Sequence, residues 1–346
     1  MKALVYYGPG KRSWEEVPEP AIVDPDDAVV QVDAFTICGT DLHILRGDVP
    51  EVETGRILGH EAVGTVREVG PGVRTVQPGD RVLISCISAC WRCRFCREAR
   101  YGQCLGGGGW VLGHTIDGVQ AEAVRVPFAD GSVHKLPHGV TDESALMLAD
   151  IFPTSYEVGV LNGGVGPGDT VVVVGAGPIG LAAVIAAGLY TPQRVVVVDP
   201  VESRRAAALA EGADLALSPD DDVLGKVREL TDGLGADVTI EAVGLPEAFD
   251  LAVALVRPGG RVANVGVHGR PTTLHLEDLW IRDVTITTGL VDTSTTPLLL
   301  RMLRSGLIET RRLVTHGFGF DEVPRAYDVF ADPGTSGALK VAVFRN

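Results

Sequence analysis

Four cysteines announce the first piece of chemistry. Cys90, Cys93 and Cys96 stand in two successive C-x2-C steps, and Cys104 follows after a short loop. That spacing gathers three thiolates around one ion and returns a fourth. Four thiolates close a tetrahedral shell and leave no position for substrate, which is the chemistry of structural zinc. An iron–sulfur cluster and a redox dithiol are the competing readings, but no thioredoxin-like βαβ pattern surrounds these residues. Disulfides would suit a small secreted chain better than one of 346 residues. Cys86 is left over and is expected to pack as a small apolar side chain.

A second set is scattered. Gly59-His60-Glu61 places two polar side chains among apolar residues and glycines. On a regular strand, neighbours face opposite ways, so an ordinary packing role would bury one of them or expose both. The alternative makes one or both metal ligands. Cys38-Gly39-Thr40-Asp41-Leu42-His43 is a polar cluster around a thiol, and Asp150 interrupts an apolar stretch. Each has a structural reading alone: a buried thiol beside a helix N-cap for Cys38, a capping residue for Asp150.

The third set is a glycine fingerprint. Residues 171–174 are four valines, then come Gly175, Gly177 and Gly180, then an alanine-rich helical stretch, then a valine-rich run ending at Asp199. A lone G-x-G-x-x-G is weak, but one that follows a strand, opens a helix and meets an acid at the end of the next strand is a dinucleotide site. Gly175 permits the sharp turn, Gly177 lets the backbone approach the pyrophosphate, and Gly180 lets the helix pack on the sheet. Phosphate then lies at the helix N-terminus. Asp199 suits the ribose hydroxyls and repels a 2′-phosphate, so NAD is expected over NADP.

The elements that must position these residues fall into two kinds. Residues 1–150 read as mostly β, with short β-branched runs at 29–34 and 64–70 closed by turn residues. A short helix with an acidic first turn is expected at 142–148. From about residue 153 the pattern alternates. Strands are expected at 171–174, 194–199, 213–217, 236–241, 260–266 and 284–289, with helices at 181–189, 202–212, 223–233 and 246–256. This is an α/β Rossmann doubly wound parallel sheet. Helices at 296–305 and 321–330 and a strand at 339–344 finish the chain.

Composition restricts the partners. The formal charge of −15 opposes binding to nucleic acid or an anionic membrane. No run approaches the ~20 apolar residues of a membrane span, and the first residues carry no secretory pattern, so a cytoplasmic protein is expected.

Taken together, these motifs resemble the zinc-containing medium-chain alcohol dehydrogenases, over nearly the full length; the run 313–316 is also similar to the bacterial secondary-alcohol branch. The resemblance implies a β-rich, GroES-like catalytic domain formed by 1–152 and 290–346, around a Rossmann coenzyme domain at 153–289. It implies a catalytic zinc on Cys38, His60 and Asp150, with Glu61 as an exchangeable ligand or a neighbour of the metal, and so two zinc ions per chain. Many relatives carry cysteine at the position of Asp150, and the carboxylate predicts a more Lewis-acidic metal. Zinc is expected to acidify the alcohol, NAD to take the hydride, and the proton to leave through Thr40, the cofactor ribose and His43. Thr154, Pro178, Ile179, Arg204, Val243, Val265, Val267 and Leu290 are implied as further coenzyme contacts. Trp110, Phe152, Leu290 and Ile87 are candidate apolar walls, while the glycines at 106–109 match no family pattern. The implied substrate is a primary or secondary alcohol, aldehyde or ketone, and the implied assembly a homodimer or homotetramer. Polyol, threonine or formaldehyde dehydrogenases share these motifs. The reading from another class is an idle NAD-binding protein with structural zinc only.

Overall fold

The computed structural model describes residues 1–345. Two compact units emerge, Met1–Pro153 with Val291–Asn346, and Thr154–Leu290.

The first unit starts with an antiparallel pair, β1 (Lys2–Tyr6) and β2 (Arg12–Glu16). Its main sheet contains β3 (Ala28–Thr36), β4 (Ala62–Val69), β5 (Arg81–Ile84), β6 (Ala123–Val126) and β7 (Val133–Lys135). β3 pairs β4 antiparallel with register shifts at Val29/Val30 and Val32/Ala34. Such bulges bend and twist a sheet, and β3 also pairs β6 antiparallel along Ala28–Gln31. Val30, Val32, Phe35, Val66 and Val82 point into one shared core.

The second unit holds β8 (Thr170–Val174), β9 (Arg194–Val198), β10 (Leu215–Leu217), β11 (Ala236–Glu241), β12 (Val256–Asn264) and β13 (Thr285–Thr288). They form one parallel sheet in the order β10-β9-β8-β11-β12-β13. β8 is buried along its whole length, as a central parallel strand covered on both faces must be. Each buried valine there contributes about 1.5–3 kcal/mol. β12 begins ahead of the expected 260–266, at Val256. It pairs Val256 with Ala236, then skips to Arg261 opposite Val238. Pro258 lies in that skipped stretch and has no N–H for a ladder, so the strand bulges there. Ser155–Leu161 is a π-helix, which the sequence pattern did not suggest.

The tail belongs to the first unit. β14 (Val314–Gly319) runs parallel to β15 (Lys340–Phe344), and β15 pairs antiparallel with the end of β3. Residues more than three hundred positions from the start are thereby laid beside the strand that leads into Cys38. Among the described residues no helix is long and apolar enough to cross a membrane.

Candidate metal centres and coenzyme site

His60 and Glu61 precede β4, in chain that is not regular strand, and both side chains are buried. Alternation therefore does not apply to them. Gly59 has φ +93°, and a Cβ on it would lie 2.4 Å from Gln120 Cγ, so only glycine fits. Backbone bonds from Val119 N–H to Gly59 C=O (3.0 Å) and from Thr36 N–H to Glu61 C=O (3.1 Å) hold the segment. Both neighbours turn to the same place.

That place also receives Cys38 and Asp150. One ligand atom from each of Cys38, His60, Glu61 and Asp150 lies within 4.8 Å of all the others. Asp150 Oδ2 is 3.3 Å from His60 Nε2 and 3.8 Å from Cys38 Sγ. Burial disfavours a charged imidazole, yet the Asp150 carboxylate and the Cys38 sulfur outweigh it and raise the His60 pKa well above its ordinary value. A buried ring crowded by anionic groups is a demand for positive charge. A cation held by one nitrogen, one sulfur and one or two carboxylate oxygens satisfies it, and that donor set fits zinc.

Glu61 is held from behind. Lys340 Nζ, from the first residue of β15, lies 2.6 Å from Glu61 Oε2, with both side chains 1% exposed. Thr36 Oγ1 also donates to Oε2. Glu61 Oε1 is buried without a hydrogen-bond partner. Burial works against the Lys340 charge, but Glu61 and Cys38 keep its pKa raised. One oxygen of Glu61 is thus tied to the protein, and the other remains available to the ligand cluster.

Helix Gly39–Arg46 carries the polar cluster. Its N-terminus is fixed by Asp41, whose Oδ2 accepts from Cys38 N–H (2.8 Å) and from Gln120 Nε2 (3.0 Å), while Tyr327 donates to Gln120 Oε1 (2.7 Å). Burial chiefly lifts the Asp41 pKa. Thr40 Oγ1 lies 3.6 Å from Cys38 Sγ. His43 is partly exposed, and its Nδ1 lies 2.8 Å from Asp48 Oδ2. Trp110 stands edge-on to His60 with ring centroids 6.1 Å apart and stacks on His114 at 4.2 Å. Of the other wall candidates, Ile87 and Phe152 are buried in the first unit and Leu290 is exposed in the second.

Cys86 does more than fill space. Its thiol is buried, as a small apolar side chain would be, but Sγ is 3.6 Å from Asp150 Oδ1. Burial, then the charges of Asp150 and Glu61, pushes the thiol well above its ordinary pKa.

The four-cysteine lobe is assembled from neighbours. The Sγ atoms of Cys90, Cys93, Cys96 and Cys104 also lie within 4.8 Å of one another. Backbone N–H groups of Cys96 and Leu105 point at Cys93 Sγ, and those of Cys90 and Gly106 at Cys104 Sγ, at 3.4–3.5 Å. Backbone bonds from Cys96 and Leu105 bring the Cys93 thiol down to about 6, whereas burial lifts Cys96 to about 12. The unplaced glycines find their reason here. A Cβ on Gly106 would sit 2.5 Å from Cys90 Sγ, and one on Gly108 would sit 2.3 Å from Ser88 C=O. Gly106 and Gly108 pass too close to the sulfurs and to Ser88 for side chains, and Gly107 and Gly109 have positive φ.

In the second unit the fingerprint sits between β8 and helix Pro178–Gly188, with Gly177 at the N-cap. A Cβ on Gly175 (φ +99°) would meet Val243 at 2.5 Å, and one on Gly180 would meet Gly175 C=O at 1.8 Å. Asp199 is buried, its Oδ2 accepting from Ala176 N–H and its Oδ1 from Val201 N–H, each at 2.8 Å. The acid thereby anchors the glycine turn as well as ending its strand. Arg205, next to Arg204, donates to the Asp199 and Pro200 carbonyls. Thr154, Ile179 and Val265 are partly buried, and Val243 and Val267 are exposed where the chain leaves β11 and β12. That is the carboxyl edge of a parallel sheet, where such folds bind ligands.

The model of an alcohol dehydrogenase GroES-like domain matches residues 24–138, and that of a zinc-binding dehydrogenase matches residues 178–305. An alcohol dehydrogenase of Cupriavidus necator is 35% identical over 363 residues, covering 99% of this chain and 98% of its own. The chain belongs to the zinc-containing medium-chain alcohol dehydrogenases. The solved apo form of zinc-dependent alcohol dehydrogenase 2 from Streptococcus pneumoniae is 45% identical, with a TM-score of 0.96 and coverage of 100% and 99%. An L-threonine 3-dehydrogenase of Pyrococcus horikoshii is 33% identical over 322 residues, 91% of this chain and 90% of its own. A zinc-containing oxidoreductase with a nicotinamide cofactor is the activity of this family, and a GroES-like unit with a Rossmann sheet is its fold.

Sequence reasoning on this dehydrogenase overlooked Lys340, Thr36, Asp41, Gln120 and Tyr327. Two of them left signals. Asp41 stands three residues after Cys38, as in a capping box. Lys340 is a lone cation opening an apolar strand, and such a lysine is rarely buried without a partner.

Proposed function

We propose that the chain is an NAD-dependent alcohol dehydrogenase that interconverts primary or secondary alcohols with aldehydes or ketones. The observation that carries this reading is the convergence of Cys38, His60, Glu61 and Asp150 within 4.8 Å. Cys38, His60 and Asp150 would hold a catalytic zinc, with Glu61 beside it, and Cys90, Cys93, Cys96 and Cys104 a structural one. The unit Met1–Pro153 with Val291–Asn346 is assigned the catalytic chemistry, and Thr154–Leu290 the coenzyme. When bound, zinc supplies a Lewis acid that acidifies the alcohol hydroxyl, and the nicotinamide supplies a hydride acceptor.

The chain's own residues move the proton. Thr40 Oγ1, 3.6 Å from Cys38 Sγ, can accept a hydrogen bond from the alcohol at the cluster. Asp48 at His43 Nδ1 favours the Nδ1–H tautomer, leaving Nε2 as the atom that holds the proton on its way to solvent. Asp199, fixed by two backbone N–H groups, would accept from the ribose hydroxyls of a coenzyme and repel a 2′-phosphate, which supports NAD over NADP. Gly175, Gly177, Pro178 and Gly180 would receive the pyrophosphate at the helix N-terminus. Thr154, Ile179, Arg204, Val243, Val265, Val267 and Leu290 are assigned the remaining coenzyme contacts. A homodimer or homotetramer in the cytoplasm completes the reading; light scattering on the purified protein tests the assembly.

The deciding experiment measures zinc content and runs a panel of alcohols, polyols and threonine with NAD and NADP. Two zinc ions per chain and NADH formation from simple alcohols are expected. One zinc and no turnover would make the chain an idle coenzyme-binding protein, and preference for NADP would overturn the role of Asp199. The P. horikoshii relative is named for L-threonine, so preference for threonine would move the substrate, not the mechanism.

A further inference from the structure

The two oxygens of Asp150 face different partners. Oδ2 lies among the ligand atoms, 3.3 Å from His60 Nε2 and 3.8 Å from Cys38 Sγ. Oδ1 faces Cys86 Sγ at 3.6 Å. A carboxylate with both oxygens free can take a metal through one or through both, and the two modes give different coordination numbers. A thiol that donates to Oδ1 takes one of its lone pairs and orients the carboxylate with Oδ2 toward the ion.

The placement of Cys86 is not loose. It follows the end of β5, and its own N–H donates to Ala149 C=O at 3.0 Å. The backbone of one residue and the side chain of the same residue therefore grip two consecutive positions, 149 and 150. The thiol is 3% exposed, so its side chain is held inside the fold against the carboxylate. In the ligand set, Cys38, His60, Glu61 and Asp150 have mutually close ligand atoms; Cys86 is outside that set.

We infer that Cys86 is a positioning residue of the catalytic metal site: its S–H donates to Asp150 Oδ1 and holds that carboxylate monodentate through Oδ2. This rests on the assignment of Cys38, His60 and Asp150 as ligands. Partners of this kind orient metal-ligating carboxylates, and their loss typically weakens metal binding about 10–100-fold.

The test compares Cys86→Ala, which removes the donor, with Cys86→Ser, which keeps one. Retention of the catalytic ion against a chelator is measured, together with the visible spectrum of protein carrying cobalt(II) at that site. Cys86→Ala is expected to release the ion about 10–100-fold more readily and to weaken the cobalt d–d bands, as a higher coordination number does. Cys86→Ser should stay near wild type in both readouts, and both variants should keep the ion of the four-cysteine lobe. Cys86→Ala equal to wild type would overturn the inference and leave the ligand assignment standing. Loss of part of the thiolate-to-cobalt charge-transfer intensity in both variants would also overturn it, by making Cys86 a ligand. Wild-type protein that binds only the lobe ion would overturn the ligand assignment and this inference together.

Discussion

The first unit contains two clusters of metal-ligating side chains built on opposite principles. In the lobe, Cys90, Cys93, Cys96 and Cys104 come from one short segment, and its own backbone N–H groups and glycines support the sulfurs. In the other cluster, Cys38, His60 and Asp150 come from three separate segments, and the supports arrive from farther still. Lys340 reaches Glu61 across 279 residues, and Tyr327 reaches Gln120 across 207. A site closed on itself needs only local geometry. A site that must admit substrate gives up part of its ligand shell, so the surrounding fold has to hold what the missing ligand would have held.

His60→Ala breaks this contrast most directly. Losing a Lewis-acid site forfeits several kcal/mol of transition-state stabilisation, about three orders of magnitude in turnover. One zinc should leave and the lobe zinc should stay; release of both on metal analysis would show that the two sites are not independent.

Lys340→Met follows. It leaves Glu61 charged and buried with no ion-pair partner, which typically destabilises by about 3–5 kcal/mol. Urea midpoints would read the loss, and adding Glu61→Gln should restore most of it. An additive double variant would mean that the pair is not the cause.

His134 tests the strand region from which both sites spring, since β7 pairs β5 immediately before Cys86 and the lobe. Its Nε2 is buried without a partner, and burial lowers its pKa from 6.5 to about 4. The unfolded chain takes up the proton first as pH falls. Stability is therefore complete above about pH 6.5 and declines toward about pH 4, by at most about 3 kcal/mol. A His134→Leu variant should show a shallower pH dependence of its urea midpoint than wild type; parallel curves would remove the assignment.

Gly106→Ala is expected to be the mildest. A Cβ 2.5 Å from Cys90 Sγ forces a shift costing about 1–3 kcal/mol. Faster release of the lobe zinc with unchanged turnover would confirm that the lobe stands by itself, and a fall in turnover would couple it to catalysis.

The sequence by itself determined whatever has a short period. The C-x2-C steps, the glycine fingerprint after a valine strand and the alternation of strands and helices are all local, because hydrogen-bond geometry sets their spacing. The six strands of the parallel sheet were legible for the same reason, while their order across the sheet came from the fold and the early start of β12 depended on a bulge at Pro258. Only the tertiary structure decided which polar groups meet. That His60 and Glu61 turn the same way follows from the positive φ of Gly59 and the bonds flanking it. That Glu61 offers one oxygen and not two follows from Lys340 arriving on β15. That Cys86 faces a carboxylate follows from the end of β5 lying beside Ala149. No spacing encodes contacts between segments that far apart; they exist because the tail and the loops close on β3, β4 and β5, and a buried polar atom must find its partner wherever the fold brings one.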